Sequence, residues 1–233
     1  MKRILIIGII VLLLVMGCGK KEEAPPPEPA PPPPLTAAEI IAKASEKLDA
    51  LSSFHFGLDQ KGGGTPIAMG LEMTAASGDI ARPDKLKIKV FAGFVEVEVI
   101  TGGEITYMTN PLTGKWEPLP SEFTAVKLFD PDTGLTAIVG GITGATKLGE
   151  EGIAGALCYH LKGMLDSGDL SAISCGMAIE GVPIDTDVWI GKDDFLLRQI
   201  RLEGQVTEGE KPGIVRTLSV SNFDQPVTIE LPE

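Results

Sequence analysis

The sequence predicts an α+β domain that is mostly antiparallel β, and three observations predict it. Apolar and polar residues alternate with period two over many short stretches, the pattern of half-buried strands. Two neighbouring stretches, 86–91 and 94–100, fold back on each other with both faces consistent. Helical periodicity appears only at the start and in a middle interruption, so the βαβ alternation of a parallel doubly wound sheet is absent. Of 233 residues, about 200 are left for this domain after the N-terminal segments, a normal length for one all-β sheet or barrel.

The chain opens with Lys2 and Arg3, then an apolar run from Ile4 to Val15, then Gly17 before Cys18. A run of about a dozen residues is too short to span roughly 30 Å of hydrocarbon but suits a signal-peptide core. A small residue before cysteine resembles a bacterial lipobox, which makes residues 1–17 a signal peptide and Cys18 an acylated (palmitate-type) N-terminus. An ordinary cleaved signal or a short uncleaved anchor is the other reading. Either way the domain is expected outside the cytoplasm, and the lipobox reading anchors it to the cell membrane through Cys18. Residues 18–34 are then the lipidated N-terminus and a linker whose eight prolines favour extended polyproline II. At about 3.1 Å per residue it reaches on the order of 50 Å.

Loss of Lys2 and Arg3 takes the formal net charge from −12 to −14, which excludes nucleic acid as an expected partner and argues against electrostatic attachment to anionic lipid. Aromatics make up only 5% of the chain, so few rings are available to fill a core.

The domain, residues 35–233, begins with a helix. Thr36-Ala37-Ala38-Glu39 reads as a capping box, and Ile40, Ile41, Ala44, Leu48 and Leu51 share one face before Ser52-Ser53 ends it. Phe54, Phe56 and Leu58 alternate toward a Gly62-Gly63-Gly64 turn, and Ile67, Met69, Leu71 and Met73 alternate up to Ser77-Gly78. A two-residue turn at Ala92-Gly93 pairs Lys89 with Glu96, Lys87 with Glu98, Val90 with Val95, Ile88 with Val97 and Leu86 with Val99. Ala92 suits a positive φ poorly, so a longer bulged loop stays open.

Residues 105–108 form a further strand, interrupted at Asn110-Pro111-Leu112-Thr113-Gly114 before Trp116. Asp130-Pro131-Asp132 signals a helix start, and Leu135, Ile138, Val139 and Ile142 suit a short helix broken at Gly140-Gly141. Residues 153–162 return to strand, and Asp169 is expected to cap a short helix through Leu170 and Ile173. Strands over 186–190, 195–202 and 215–223 close the chain as a meander, with a short last strand at 227–231.

Four features in order carry a family resemblance: Leu51-Ser52-Ser53-Phe54 after the first helix; the Tyr107 strand followed by Trp116; the segment from Val188-Trp189-Ile190-Gly191 through Asp194-Phe195 to Arg198; and the ending from Phe223-Asp224-Gln225-Pro226 to Pro232. Together they resemble the LppX/LprAFG lipoproteins, lipid carriers with a fold similar to LolA and LolB. The resemblance implies a curved half-barrel sheet with helices packed on its concave face, binding acyl-chain lipids, phospholipid or glycolipid, between the two. It implies no catalytic or point-ligand motif. A lipoprotein-sorting chaperone of the LolA/LolB type, and a structural or signalling envelope lipoprotein with a solid core, are the alternatives.

On that reading Leu86, Ile88, Val90, Val95, Val97 and Val99 of the hairpin, with Leu135, Ile138, Val139 and Ile142 of the second helix, line the lipid cavity. Each buried CH₂ contributes about 0.8 kcal/mol, so an acyl chain needs no specific polar contact. Arg198, sharing a strand face with Leu196, Ile200 and Leu202, is placed to meet a headgroup at the rim or to pair with a carboxylate there.

Enzyme readings find little to stand on, and no cofactor or metal is expected. His55 and His160 are the only histidines and neither has a second ligand at metal spacing. Ala172-Ile173-Ser174-Cys175-Gly176 falls one residue short of a nucleophile elbow and does not sit at a strand-to-helix turn of a parallel sheet. In an oxidising compartment Cys158 and Cys175 are expected to form a disulfide, with two separate buried thiols as the alternative. The chain is expected to act as a monomer.

Overall fold

Thr36 starts the domain as its capping box predicts. Its hydroxyl accepts from the Glu39 N–H at 3.3 Å, and the Glu39 carboxylate accepts from the Thr36 N–H at 2.8 Å. The Thr36 N–H and hydroxyl, each donating to the Glu39 carboxylate at 2.8 Å, hold that carboxyl below its ordinary pKa. The helix α1, Ala37–Asp49, buries Ile40, Ile41, Ala44 and Leu48, and Leu51 follows them into the core. A computed structural model describes residues 33–67, 72–119, 134–174 and 176–232. The signal-peptide and linker expectations, Asp130-Pro131-Asp132, Met69, Leu71 and Cys175 lie outside them.

After α1 the chain runs through β1, Ser53–Lys61; a small ribbon of β2, Thr65–Pro66, with β3, Glu72–Met73; then β4, Ala75–Ala81, β5, Lys85–Ala92, β6, Val95–Gly102, β7, Ile105–Thr109, and β8, Trp116–Pro118. A short helix α2, Leu135–Gly140, precedes β9, Thr143–Ile153, and β10, Ala156–Asp166. A 3-10 turn, Ser167–Leu170, leads to β11, Pro183–Gly191, β12, Leu197–Glu203, and β13, Val215–Ser221. Apart from the β2–β3 ribbon, the described strands form one antiparallel 11-stranded sheet in the order β8-β7-β6-β5-β4-β1-β13-β12-β11-β10-β9. Two meanders thus meet at the centre, where β1 pairs with β13.

The sheet curves without closing, with β8 and β9 as its edges, and the helices pack on its concave face. Both helices concentrate on the C-terminal half: α1 packs chiefly on α2, β9 and β11. Gly140 allows the helices to approach, since a Cβ there would stand 3.3 Å from Ser45 Oγ, and the Ser45 hydroxyl donates to the Thr136 carbonyl at 3.0 Å. The core beneath is aliphatic, with Leu161, Ile184, Val188, Ile190, Leu197 and Ile200 fully buried.

Several elements differ from expectation. The β5–β6 turn is Gly93-Phe94, not Ala92-Gly93: Ala92 pairs with Val95, Val90 with Val97, Lys89 with Glu98, Ile88 with Val99 and Leu86 with Thr101. Gly93 takes φ +63°, as the first central position of a type II′ turn requires, and Ala92 is left in the ladder. The slip moves each pair by two positions, so every side chain keeps its face. Lys89 still bridges Glu96 at 2.9 Å and Glu98 at 3.3 Å.

Ser77-Gly78 is the middle of β4, not a strand end. Gly78 sits between Phe56 and Ile88, where a Cβ would come within 2.2 Å of the Lys87 carbonyl oxygen, so close strand approach demands the glycine. Ile153 ends β9, which the sequence conceals because this edge strand is exposed along most of both faces. Asp169 is not an N-cap but the third residue of a capping box opened by Asp166, over a 3-10 turn. Residues 227–231 form no strand. They cross the outer face of β5 and β6, where the Lys85 ammonium donates to the Ile229 carbonyl at 3.3 Å and Leu231 lies against Gly102.

Candidate functional site: the concave face of the N-terminal half

Alternation along β1, β4, β5, β6 and β7 turns one set of side chains toward the concave face. Across the ladder this places Leu58, Ala76, Val90 and Val97 in one row, and Phe56, Gly78, Ile88, Val99 and Met108 in the next. Ile88, Val90, Val95, Val97, Val99 and Met108 are only half-buried, unlike the sealed side chains under the helices. The N-terminal half therefore presents an aliphatic concave strip with surface to spare.

Both ends of the concave face are polar. At one, Thr101 and Thr106 share a buried hydroxyl bond of 3.0 Å. At the other, beside Gln60 on β1, Arg216 of β13 forms a buried ion pair with Glu210. The Glu210 carboxylate also accepts from Thr65 Oγ1 at 2.8 Å and from the Val206 and Thr207 N–H groups at 2.8 and 3.1 Å. The Arg216 guanidinium donates to the Gly204 carbonyl at 3.0 Å. Burial pushes the Glu210 carboxyl up, but the Arg216 guanidinium and the backbone donors outweigh it and leave its pKa below the ordinary carboxylate value. Sequence reading passed over this cluster, although an arginine in the inward register of Leu218 and Val220 was a signal of it.

The sequence-selected residues divide. Ile88, Val90, Val95, Val97 and Val99 share the half-exposed strip. Leu86, Leu135, Ile138, Val139 and Ile142 belong to the packed core, the first at 2% and Val139 at 0% exposure. Leu58, Ala76, Gly78 and Met108 also belong to the strip; Gly78 reads in sequence as a turn residue and Met108 as the end of a strand.

Arg198 does not face the strip. A bulge between Trp189 and Ile190 pairs Leu197 with Ile190, so Leu197 takes the inward position and Arg198 the opposite face. There its guanidinium pairs with Asp194 and stacks 4.6 Å from the Phe223 ring centroid. A surface cleft of about 660 Å³ lies between α1 and the β11–β12 turn, lined by charges of both signs including Lys43, Lys47, Asp193 and Asp224. That lining does not suit an acyl chain, and none of the sequence-selected residues contributes to it.

Cys158 is a free, buried thiol, and Cys175, its expected partner, lies outside the described residues. Cys158 lies beside Gly191 at one end of the β10–β11 hairpin, whereas Ser174, next to Cys175, bonds to the Leu170 carbonyl just past the other end. Burial raises the Cys158 thiol pKa. Ser174 is buried in a turn, its hydroxyl donating to the Ser171 carbonyl at 3.3 Å. His55 pairs with Asp79 at 2.8 Å. His160 lies between Glu151 and Asp187, 2.9 Å from each, stacked on Trp189. Among the described residues no group of three His, Cys, Asp or Glu side chains could hold a metal ion.

A model of the LppX_LprAFG lipoproteins matches residues 36–229 of this chain. The lipoarabinomannan carrier protein LprG of Mycolicibacterium smegmatis is 28% identical over 122 residues, 50% of this chain and 49% of that protein, so the chain spans about half the length of this curated relative. Among solved structures, LprF from Mycobacterium bovis superposes with a TM-score of 0.67 at 19% identity, over 84% of this chain and 96% of that one. The lipoprotein LppX of Mycobacterium tuberculosis gives 0.63 at 18% identity, over 83% and 98%. At these identities the two structures establish a shared fold.

Proposed function

The chain belongs to the LppX_LprAFG lipoprotein family, and from that premise we propose that it is a membrane-anchored, extracytoplasmic lipoprotein that binds or carries acyl-chain lipid on the concave face of its N-terminal half. The observation that carries this reading is the aliphatic strip of Ile88, Val90, Val97, Val99 and Met108, half-buried where the other half of the same face is sealed. The carrier role in the name of the LprG relative supports it. The strip offers methyl and methylene surface with no polar side chain among these five, so cargo affinity comes from chain burial, at about 0.8 kcal/mol per CH₂.

Val97→Trp tests the strip. An indole in the middle of it takes the space of the cargo, while overpacking that costs about 1–3 kcal/mol in a solid core costs less on a half-open face. Loss of a fluorescent phospholipid probe with the unfolding midpoint nearly kept is the expected result. Undiminished probe binding contradicts the placement of the cargo.

The anchor is Cys18, acylated after removal of residues 1–17, with residues 18–34 as the tether and 35–233 as the lipid-binding domain. Cys18→Ala is therefore expected to leave the membrane fraction, or to keep its unprocessed signal. A variant that fractionates with membranes at the normal processed mass contradicts the anchor.

A further inference from the structure

Two side chains stand out as the most exposed large apolar groups among the described residues: Phe94, with no part of its ring covered, and Leu112, at 92% exposure. Phe94 is the outer residue of the β5–β6 turn, and Leu112 lies in the turn of Asn110 to Gly114 between β7 and β8. The β6–β7 register pairs Val99 with Met108, and carried outward it sets Leu112 level with Val95, next to Phe94. Two strand spacings separate the turns, about 10 Å. The same end of the same strands thus carries two projecting apolar tips, just beyond the aliphatic strip.

The charge pattern points to what they meet. The domain is strongly acidic, yet residues 90–95 carry no charge and residues 110–115 carry only Lys115. An acidic surface is repelled by an anionic bilayer, and its carboxylates resist dehydration at any bilayer. Glu96 and Glu117 flank the two turns, the first paired with Lys89 and the second accepting from Asn110, but neither turn itself carries a carboxylate. Phe and Leu gain by burial in the headgroup and acyl boundary, about 5–10 Å deep.

We propose that Phe94 and Leu112 are membrane-docking tips, which set this end of the β5–β7 strip against a lipid bilayer. This goes beyond lipid carriage, since docking needs no bound cargo, but it rests on the tether proposed above to hold the domain within reach. The tips turn a tethered domain toward the surface from which acyl chains enter or leave.

The test places tryptophan at either end of the same hairpin array. Phe94→Trp reports on the tip, and Glu104→Trp, in the exposed β6–β7 turn at the opposite end, is the control. The full mature proteins are reconstituted into vesicles of phosphatidylcholine or of phosphatidylcholine dibrominated in its acyl chains, then checked by flotation. The added emission of Phe94→Trp is expected to be largely lost in the brominated vesicles, with Glu104→Trp unchanged. Equal emission of Phe94→Trp in the two vesicle types overturns the proposal. So does a blue shift without bromine dependence, which marks a protein partner or a second copy at the tips. Protein that does not float contradicts the tether alone, and the same comparison is then read on free protein with vesicles in excess.

Discussion

Replacing Glu210 by alanine is expected to destabilise the protein by about 3–5 kcal/mol, the cost of stranding one member of a buried ion pair. The Arg216 side chain is 4% exposed and would keep its charge with the Gly204 carbonyl and Thr65 hydroxyl as its acceptors. Two backbone N–H groups, of Val206 and Thr207, would lose their acceptor as well. The urea midpoint should fall with little change in slope. The pair also has a pH signature. The Glu210 carboxyl is depressed in the folded state from its ordinary value of 4.5, so its contribution is present above that pH and is lost as pH falls through the lower folded value. Glu210→Gln should therefore lose stability at neutral pH and show a shallower acid limb. Asp166 and Asp224, held low by Gly168 and Gly181 N–H donors and by Ser52 respectively, keep part of that limb in the variant. Unchanged stability in Glu210→Ala would mean that the cluster is solvated.

Ile200→Ala, at a fully buried position between Val188 and Leu218, is expected to cost about 2–5 kcal/mol, the range for removing a large aliphatic from a sealed core. Val97→Ala, on the same face of the same sheet, should cost about 0.8 kcal/mol or less, because the groups it removes are already partly exposed. This difference between the halves is the energetic form of the functional proposal. Equal costs at the two positions would mean that the N-terminal half is filled like the C-terminal half.

Where one face is buried and the other wet, the sequence was readable. Residues 36–51 carried both the capping box and the apolar stripe of α1. The β5–β6 hairpin kept its faces through a register slip because the side-chain period is two, although the turn itself lay one residue on. Elements governed by long-range geometry were hidden. Gly78 looks like a turn residue, and only the approach of Lys87 explains it inside a strand. Edge strand β9 alternates too little to declare itself. Arg198 changed face because of a bulge that leaves no local mark. Of the candidate cavity, the hairpin residues were legible as one apolar face, but which of the selected residues are sealed depended on where the helices lie.

Whether the half-buried concave strip holds acyl chains is read from lipid extraction of gently purified native protein followed by mass spectrometry. The cleaved domain's own N-terminal acyl group is excluded by comparison with the Cys18→Ala protein, and Val97→Trp serves as the blocked control. Non-covalent acyl lipid is expected in fixed proportion to wild-type protein and depleted in Val97→Trp. Wild-type protein that carries no lipid, and takes none up from labelled vesicles, would contradict acyl-chain binding by the strip.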